Sequence, residues 1–305
     1  MTTLLALGLG YSAQQVAAQL ERDGWRIIGT ARSPESLAAI AAKGWRALPF
    51  DGSEATPELK QAVAEATHIL VSAPPGPQGD PALARLEHEL ASAPALRWIG
   101  YLSTIGVYGD HGGAWVDEET EPRPQSARSI ERLAAERAWS ALAGKRGVPL
   151  DIFRLSGIYG PGRSPLDRLL LGERTQVFKP GQVFNRIHVE DIAAAVIAGI
   201  RAAGRFGTVT SIYNVTDDEP APPQDVTAFA AALLGISPPA LVPIEQAVLS
   251  PMATSFYAEN KRARNARMKE RLGVALKYPT YREGLTALHR EMLAARAAAA
   301  PRSSP

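Results

Sequence analysis

The 305-residue chain contains no cysteine, so disulfides, thiolate catalysis and cysteine-ligated zinc are all excluded. It also lacks an excess of charge of either sign. Its 33 Lys and Arg stand against 31 Asp and Glu, for a formal net charge of +2. That balance points to neither nucleic acid nor a membrane surface as the main partner. No apolar run approaches the ~20 residues of a membrane span. His68, His88, His188 and His289 show no metal-ligand spacing, and no metal site is expected. The apolar N-terminus has no basic n-region and no A-x-A-like site. It reads as a first strand rather than a signal peptide, and a cytoplasmic location is the expectation. What remains is an ordinary globular composition, 46% hydrophobic, in a chain long enough for a nucleotide domain plus a lesser one.

The most informative stretch present runs from Leu4 to Ala13. Met1–Leu7 is short, apolar and uncharged, as a parallel strand covered on both faces should be. It leads into a G-x-G-x-x-A turn at Gly8, Gly10 and Ala13. In such a turn the first glycine allows the bend, and the second lets backbone N–H groups approach a pyrophosphate. The small third residue lets the following helix pack close to the sheet. A helix over Ser12–Arg22 would aim its positive end at the phosphates, with Tyr11 and Ser12 beside them. A second strand over Trp25–Thr30 completes the βαβ context that the motif requires.

Strand and helix signals then alternate, the pattern of a doubly wound parallel sheet, a Rossmann-type α/β fold. Strands are expected at 46–50, 68–73, 97–103, 151–155 and 211–215. Helices are expected at 34–42, 57–66, 81–91, 129–142 and 189–200. Ser33-Pro34, Thr56-Pro57 and Asp80-Pro81 are helix starts, each a capping side chain followed by proline in the first turn. Proline punctuation from Pro222 onward marks a smaller domain interleaved with the first. The expected division is 1–165 plus 187–220 for dinucleotide binding and 166–186 plus 221–293 for substrate, with 294–305 a disordered tail.

The end of the second strand carries the cofactor preference. An acid about 20 residues past the glycine turn usually holds the NAD ribose. Here the chain reads Thr30-Ala31-Arg32-Ser33, with a cation and a hydroxyl suited to a 2′-phosphate, so NADP is favoured over NAD. Asp51, just past the third strand, is placed to touch the adenine amino group. Ser72, Ala73 and Pro74 end the fourth strand where backbone can pass under the cofactor. Lys261, Arg262, Arg264, Arg267, Lys269 and Arg271 are expected mostly to form a solvated helix face, with one or two turned to the cleft. The acidic run Asp117, Glu118, Glu119 and Glu121 is expected to be solvated.

At Ser103-Thr104-Ile105-Gly106-Val107-Tyr108-Gly109, followed by Asp117-Glu118 and Pro122, the chain resembles the extended short-chain dehydrogenase/reductases, the group of nucleotide-sugar epimerases and dehydratases. Arg154-Leu155-Ser156-Gly157-Ile158-Tyr159-Gly160-Pro161 resembles the family's sixth strand and following loop. Arg186–Ala193, Tyr213-Asn214-Val215, Leu272-Gly273 and Tyr278–Leu285 resemble further family blocks, in order, across nearly the whole chain. The resemblance implies cofactor contacts at Ser103 and Ser156. It also implies that Thr104 hydrogen-bonds the reacting oxygen, and that the sheet domain forms a homodimer, as in relatives.

The resemblance fails where the family does its proton chemistry. Members carry Tyr-x-x-x-Lys on the helix after strand five, with an acid four residues beyond the lysine. Anchoring on Glu136 puts Arg128 at the tyrosine and Arg132 at the lysine, and no tyrosine lies between Tyr108 and Tyr159. This places the chain with atypical members that keep the cofactor fold and lose most active-site residues. A guanidinium, with a pKa above ~12, is a poor proton donor or acceptor near neutral pH. Arg132 remains able to hold the nicotinamide ribose and Arg128 to bind an anionic substrate group, while Tyr108 is a candidate substitute acid. The expected function is NAD(P)-dependent oxidoreduction or epimerisation of a small molecule at a carbonyl or hydroxyl. The alternative is a cofactor-bound sensor without turnover.

Overall fold

The computed structural model describes residues 1–207 and 210–299. Its centre is a seven-stranded, all-parallel sheet built from β1 (Thr3–Leu7), β2 (Arg26–Ala31), β3 (Arg46–Pro49), β4 (His68–Val71), β5 (Trp98–Thr104), β6 (Leu150–Leu155) and β7 (Thr210–Val215). The spatial order is β7-β6-β5-β4-β1-β2-β3. The chain winds outward from β1 to β3, then crosses back to place β4 on the other side of β1. That reversal opens a crevice at the carboxyl ends of β1 and β4, where open α/β sheets bind ligands.

Both sheet faces are covered, which is why the strands read as nearly unbroken apolar runs. Helices α1 (Tyr11–Arg22), α2 (Pro34–Ala41), α3 (Pro57–Glu65), α4 (Pro81–Ser92) and α5 (Ala127–Arg146) follow the first five strands. Val16, Ala17 and Leu20 of α1 pack on one face with Leu4, Ala6, Phe153 and Val196. Leu59, Leu86 and Trp139 of α3, α4 and α5 pack on the other with Leu5, Leu7, Ile69 and Ile99. The three cap-proline starts form as the sequence signals require. Ser33 accepts from Ser36 N–H, Thr56 from Leu59 N–H, and Asp80 from Ala82 and Leu83 N–H.

A smaller lobe is assembled from α6 (Pro165–Leu170), α8 (Pro223–Leu234), α9 (Pro251–Ala258) and α11 (Tyr281–Ala299), while α7 (Val189–Ala202) and α10 (Ala266–Leu272) pack into the core of the sheet layer. Leu166, Leu169, Val226, Ala230, Tyr281 and Leu285 form the lobe's own core. Two short parallel pairs tie its pieces together: Gly157–Tyr159 with Arg186–His188, and Thr175–Phe178 with Ala240–Pro243. Helix α11 runs through Ala299, into the segment expected to be a disordered tail; residues 300–305 of that segment lie outside the described residues. No helix among the described residues is long and apolar enough to cross a membrane.

One sheet residue is titratable and buried without a cation. Trp98 Nε1 donates to Asp151 Oδ2 at 2.8 Å, and burial pushes the Asp151 carboxyl up to about 7 from its ordinary 3.8. The folded state therefore holds this proton over a range where the unfolded chain has released it. Stability contributed by the protonated form is present below about pH 4 and is lost as pH rises to about 7. Asp151→Asn, which cannot ionise, is expected to flatten this part of the pH–stability curve. Urea midpoints measured from pH 4 to pH 8 check it. A slope equal to wild type would place the titrating group elsewhere.

Candidate cofactor and active site

Gly8 turns at φ +89°, and a Cβ there would stand 2.7 Å from the backbone nitrogen of Ala73. Only glycine fits, because the β4 end passes directly beneath the turn. Ser72 and Ala73 both donate their N–H to the Leu7 carbonyl at 2.9 Å. The Gly8 N–H itself donates to Thr30 Oγ1 at 2.8 Å, locking the turn to β2.

Gly10 caps α1 in extended conformation and contributes no side-chain hydrogen bond. The first turns of α2, α3, α4 and α5 are each met by a Ser, Thr or Asp side chain. In α1 the Tyr11, Ser12 and Ala13 N–H groups face outward without one, since the first intrahelical bond is made by Gln14 to Gly10. A Cβ added at Gly10 would meet nothing within 4 Å. Free donors, the positive end of a twelve-residue helix and open space above a glycine fit a dinucleotide pyrophosphate.

Around this centre the other expected cofactor residues differ in how free they are. Arg32 is exposed and makes no hydrogen bond or ion pair among the described residues, so its guanidinium is available. Ser33 is committed to capping α2. Asp51 Oδ1 accepts from both the N–H and the hydroxyl of Ser53, and those bonds hold its carboxyl below the ordinary range. Ser156 is buried, and its hydroxyl donates to the Val215 carbonyl. Tyr11 donates to the Pro161 carbonyl at 3.1 Å, which brings the loop after Tyr159 over the start of α1.

At the end of β5, Thr104 Oγ1 accepts from Gly106 N–H, leaving its own proton free to be donated. Ser103 is different: its hydroxyl donates at 2.5 Å to Glu136, which also accepts from Arg154 Nε and Nη2 at 3.1 and 2.8 Å. Both side chains of this ion pair are almost wholly buried, at 3% and 4% exposure. The Arg154 guanidinium lies 4.8 Å from the centre of the Tyr108 ring, and Tyr108 donates to Asn214 Oδ1 at 2.8 Å. Tyr108 is therefore corrected from candidate acid to packing residue. It is fully buried, its proton is already donated, and burial pushes its pKa up to about 12.

Arg132 is half-buried on α5. Its Nη1 donates to the Leu102 carbonyl at 2.9 Å and to the Tyr101 hydroxyl at 3.3 Å, which holds the side chain at the β5 end. Arg128 is exposed in the first turn of α5. Of the basic stretch, Arg264 and Arg271 are exposed, whereas its first residue departs from the solvated face expected. Lys261 is buried and donates to the Gly109 carbonyl at 2.6 Å. Asn260 accepts from His111 and Gly113 N–H at 3.0 and 2.9 Å, and Arg262 donates to the Gly113 carbonyl. The acidic run is likewise partly enclosed. Glu118 accepts from Asn214 N–H at 2.7 Å and, with Glu119, faces Arg267. These bonds fasten the loop after β5 to the smaller lobe.

The sequence reading missed the Glu136–Arg154 pair, although its signal was present. Asp151 and Arg154 sit inside a strand of six buried residues, and a charge in such a strand needs a partner.

Residues 86–215 match the model of the NAD dependent epimerase/dehydratase family. Over that stretch the chain carries this family's domain. A solved structure of a functionally unknown conserved protein from Silicibacter pomeroyi DSS is 48% identical with TM-score 0.85, covering 96% of this chain and 99% of the other. Protein YeeZ of Escherichia coli (strain K12) is 29% identical over 252 residues, 78% of this chain and 86% of that protein. A 3-diazoavenalumate denitrifying reductase from a Streptomyces species is 25% identical over 312 residues, 93% of this chain and 99% of the reductase.

Proposed function

We propose that this protein binds NADP in the crevice at the ends of β1 and β4 and catalyses oxidoreduction or epimerisation of a small molecule at a carbonyl or hydroxyl carbon. The observation that carries the reading is the uncapped start of α1 beneath open space at Gly10. The family match and the relative named as a reductase support turnover rather than binding alone. When bound, the dinucleotide supplies a nicotinamide able to donate or accept hydride.

The chain's own residues divide the remaining tasks. Arg32 pairs with the 2′-phosphate, and the α1 N–H groups bind the pyrophosphate. Arg132, anchored through one nitrogen, offers its others to the nicotinamide ribose. The Thr104 hydroxyl donates to the reacting oxygen. The Ser103 and Tyr108 hydroxyls near the β5 end are committed, to Glu136 and to Asn214 respectively. The proton therefore comes from solvent or from the substrate, and its general-acid contribution of about 10²–10⁴ is forgone.

Titration of NADPH and NADH into wild type and Arg32→Ala tests the cofactor assignment. A charge-assisted contact of about 1.5–3 kcal/mol predicts NADPH weakened roughly 10–150-fold and NADH nearly unchanged. Equal losses would make Arg32 structural. A panel of carbonyl substrates with NADPH oxidation as readout then tests turnover. Tight NADPH binding with no oxidation across the panel would replace the enzyme reading by that of a binding protein.

A further inference from the structure

We infer that the substrate carries a carboxylate, that Arg128 binds it near Thr104, and that Arg132 divides the N–H groups left by its Leu102 and Tyr101 contacts between that carboxylate and the nicotinamide ribose. The inference rests on the reading above that the reacting carbon lies at the β5 end, and it adds the substrate class.

Arg128 and Arg132 are four residues apart on α5, so they share one helix face. The start of that helix is pressed against the turn that carries Thr104. Ser129 Oγ lies 2.8 Å from where a Gly106 Cβ would stand, and Thr104 Oγ1 lies 3.4 Å from the same point. The Arg132 guanidinium is fixed by the Leu102 carbonyl and the Tyr101 hydroxyl, and it lies 5.6 Å from the Tyr101 ring centre. Its orientation is thus set before any ligand arrives.

Neither arginine forms an ion pair among the described residues. The nearby acids are spent elsewhere. Glu136, the natural partner one turn beyond Arg132, is taken by Arg154 and Ser103. Asp80 accepts from Ala82 and Leu83 N–H and from Trp139 Nε1. Two guanidiniums without an ion pair among the described residues, on the helix whose start meets the Thr104 turn, favour an anion. A carboxylate matches the planar guanidinium fork with two parallel hydrogen bonds. A guanidinium also holds such an oxygen without giving up a proton, in keeping with a site that lacks an acid.

The test is calorimetric titration of benzoate, benzamide and phenyl phosphate into the full-length protein saturated with NADP⁺. Benzoate is expected to bind more tightly than either of the others. Arg128→Gln should weaken benzoate about 10–100-fold, the range of a charge-assisted pair, and leave benzamide unchanged. Arg128→Lys should recover part of the loss. Arg137→Gln, an exposed arginine further along the same helix, should change nothing. Benzoate binding that is absent, indifferent to Arg128→Gln or weaker than that of phenyl phosphate overturns the inference while leaving the cofactor reading intact. Failure of NADP⁺ itself to bind overturns both.

Discussion

Gly10→Val is expected to weaken dinucleotide binding by more than about 100-fold, roughly 2.7 kcal/mol, while the protein stays folded. The two halves of this expectation have separate causes. In the folded chain a Cβ at residue 10 meets no atom within 4 Å, and the backbone there is not in the left-handed region, so valine strains nothing. The Tyr11, Ser12 and Ala13 N–H groups follow directly after residue 10 and have no partner among the described residues. A branched side chain there keeps phosphate oxygens from reaching those donors. Gly8 would be the wrong choice for this experiment. A side chain there collides with Ala73 and forces a strained φ, so lost binding would be confounded with misfolding. Calorimetric titration of NADPH, with a thermal melt of the apoprotein alongside, reads both halves. Unchanged affinity in a folded Gly10→Val protein would remove the cofactor from this turn.

Glu136→Ala is expected to destabilise the protein by about 3–5 kcal/mol, a large share of the stability of a typical domain. The loss comes less from the missing attraction than from what is left behind. Arg154, almost fully buried, would keep its charge with no counter-ion, and the Ser103 hydroxyl would lose its acceptor. Arg154→Ala should cost a similar amount for the mirror-image reason. Replacing both with apolar residues of similar volume should restore most of the loss, since burying a pair offsets attraction against desolvation. Urea unfolding of the two single variants and the double variant measures each quantity. A single-variant loss below about 1 kcal/mol would mean that water reaches the pair.

The fold was readable largely because its signals are local. A buried parallel strand has to be apolar throughout, and a capped helix has to begin with a short polar side chain. Leu4–Leu7, Ser33, Thr56 and Asp80 meet those demands within a few residues of sequence. The spacing of Arg128, Arg132 and Glu136 was also legible, because it needs only one helix. What escaped reading depends on contacts between distant segments. Nothing near Lys261 announces that its ammonium is buried against the Gly109 carbonyl, 152 residues away. Glu118 looked solvated because Arg267 and Asn214 are remote in sequence and adjacent in space. Nothing near Tyr108 in sequence announces that its hydroxyl donates to Asn214, 106 residues away. Among the cofactor residues, Ser156 and Ser33 were chosen by position. Their hydroxyls were committed by neighbours that position does not reveal.

The buried pair of Glu136 and Arg154 also constrains how this sequence can drift. A substitution at either position alone strands a charge in the interior, at a cost comparable to the whole margin by which many domains stay folded. The apolar double replacement lies near the starting stability, yet it is reached only through one of two poorly folded intermediates. Lineages descending from this chain are therefore expected to keep both residues or to change both together, so that the two positions vary as one character. Meanwhile the exposed Arg137 on the same helix remains free to change alone.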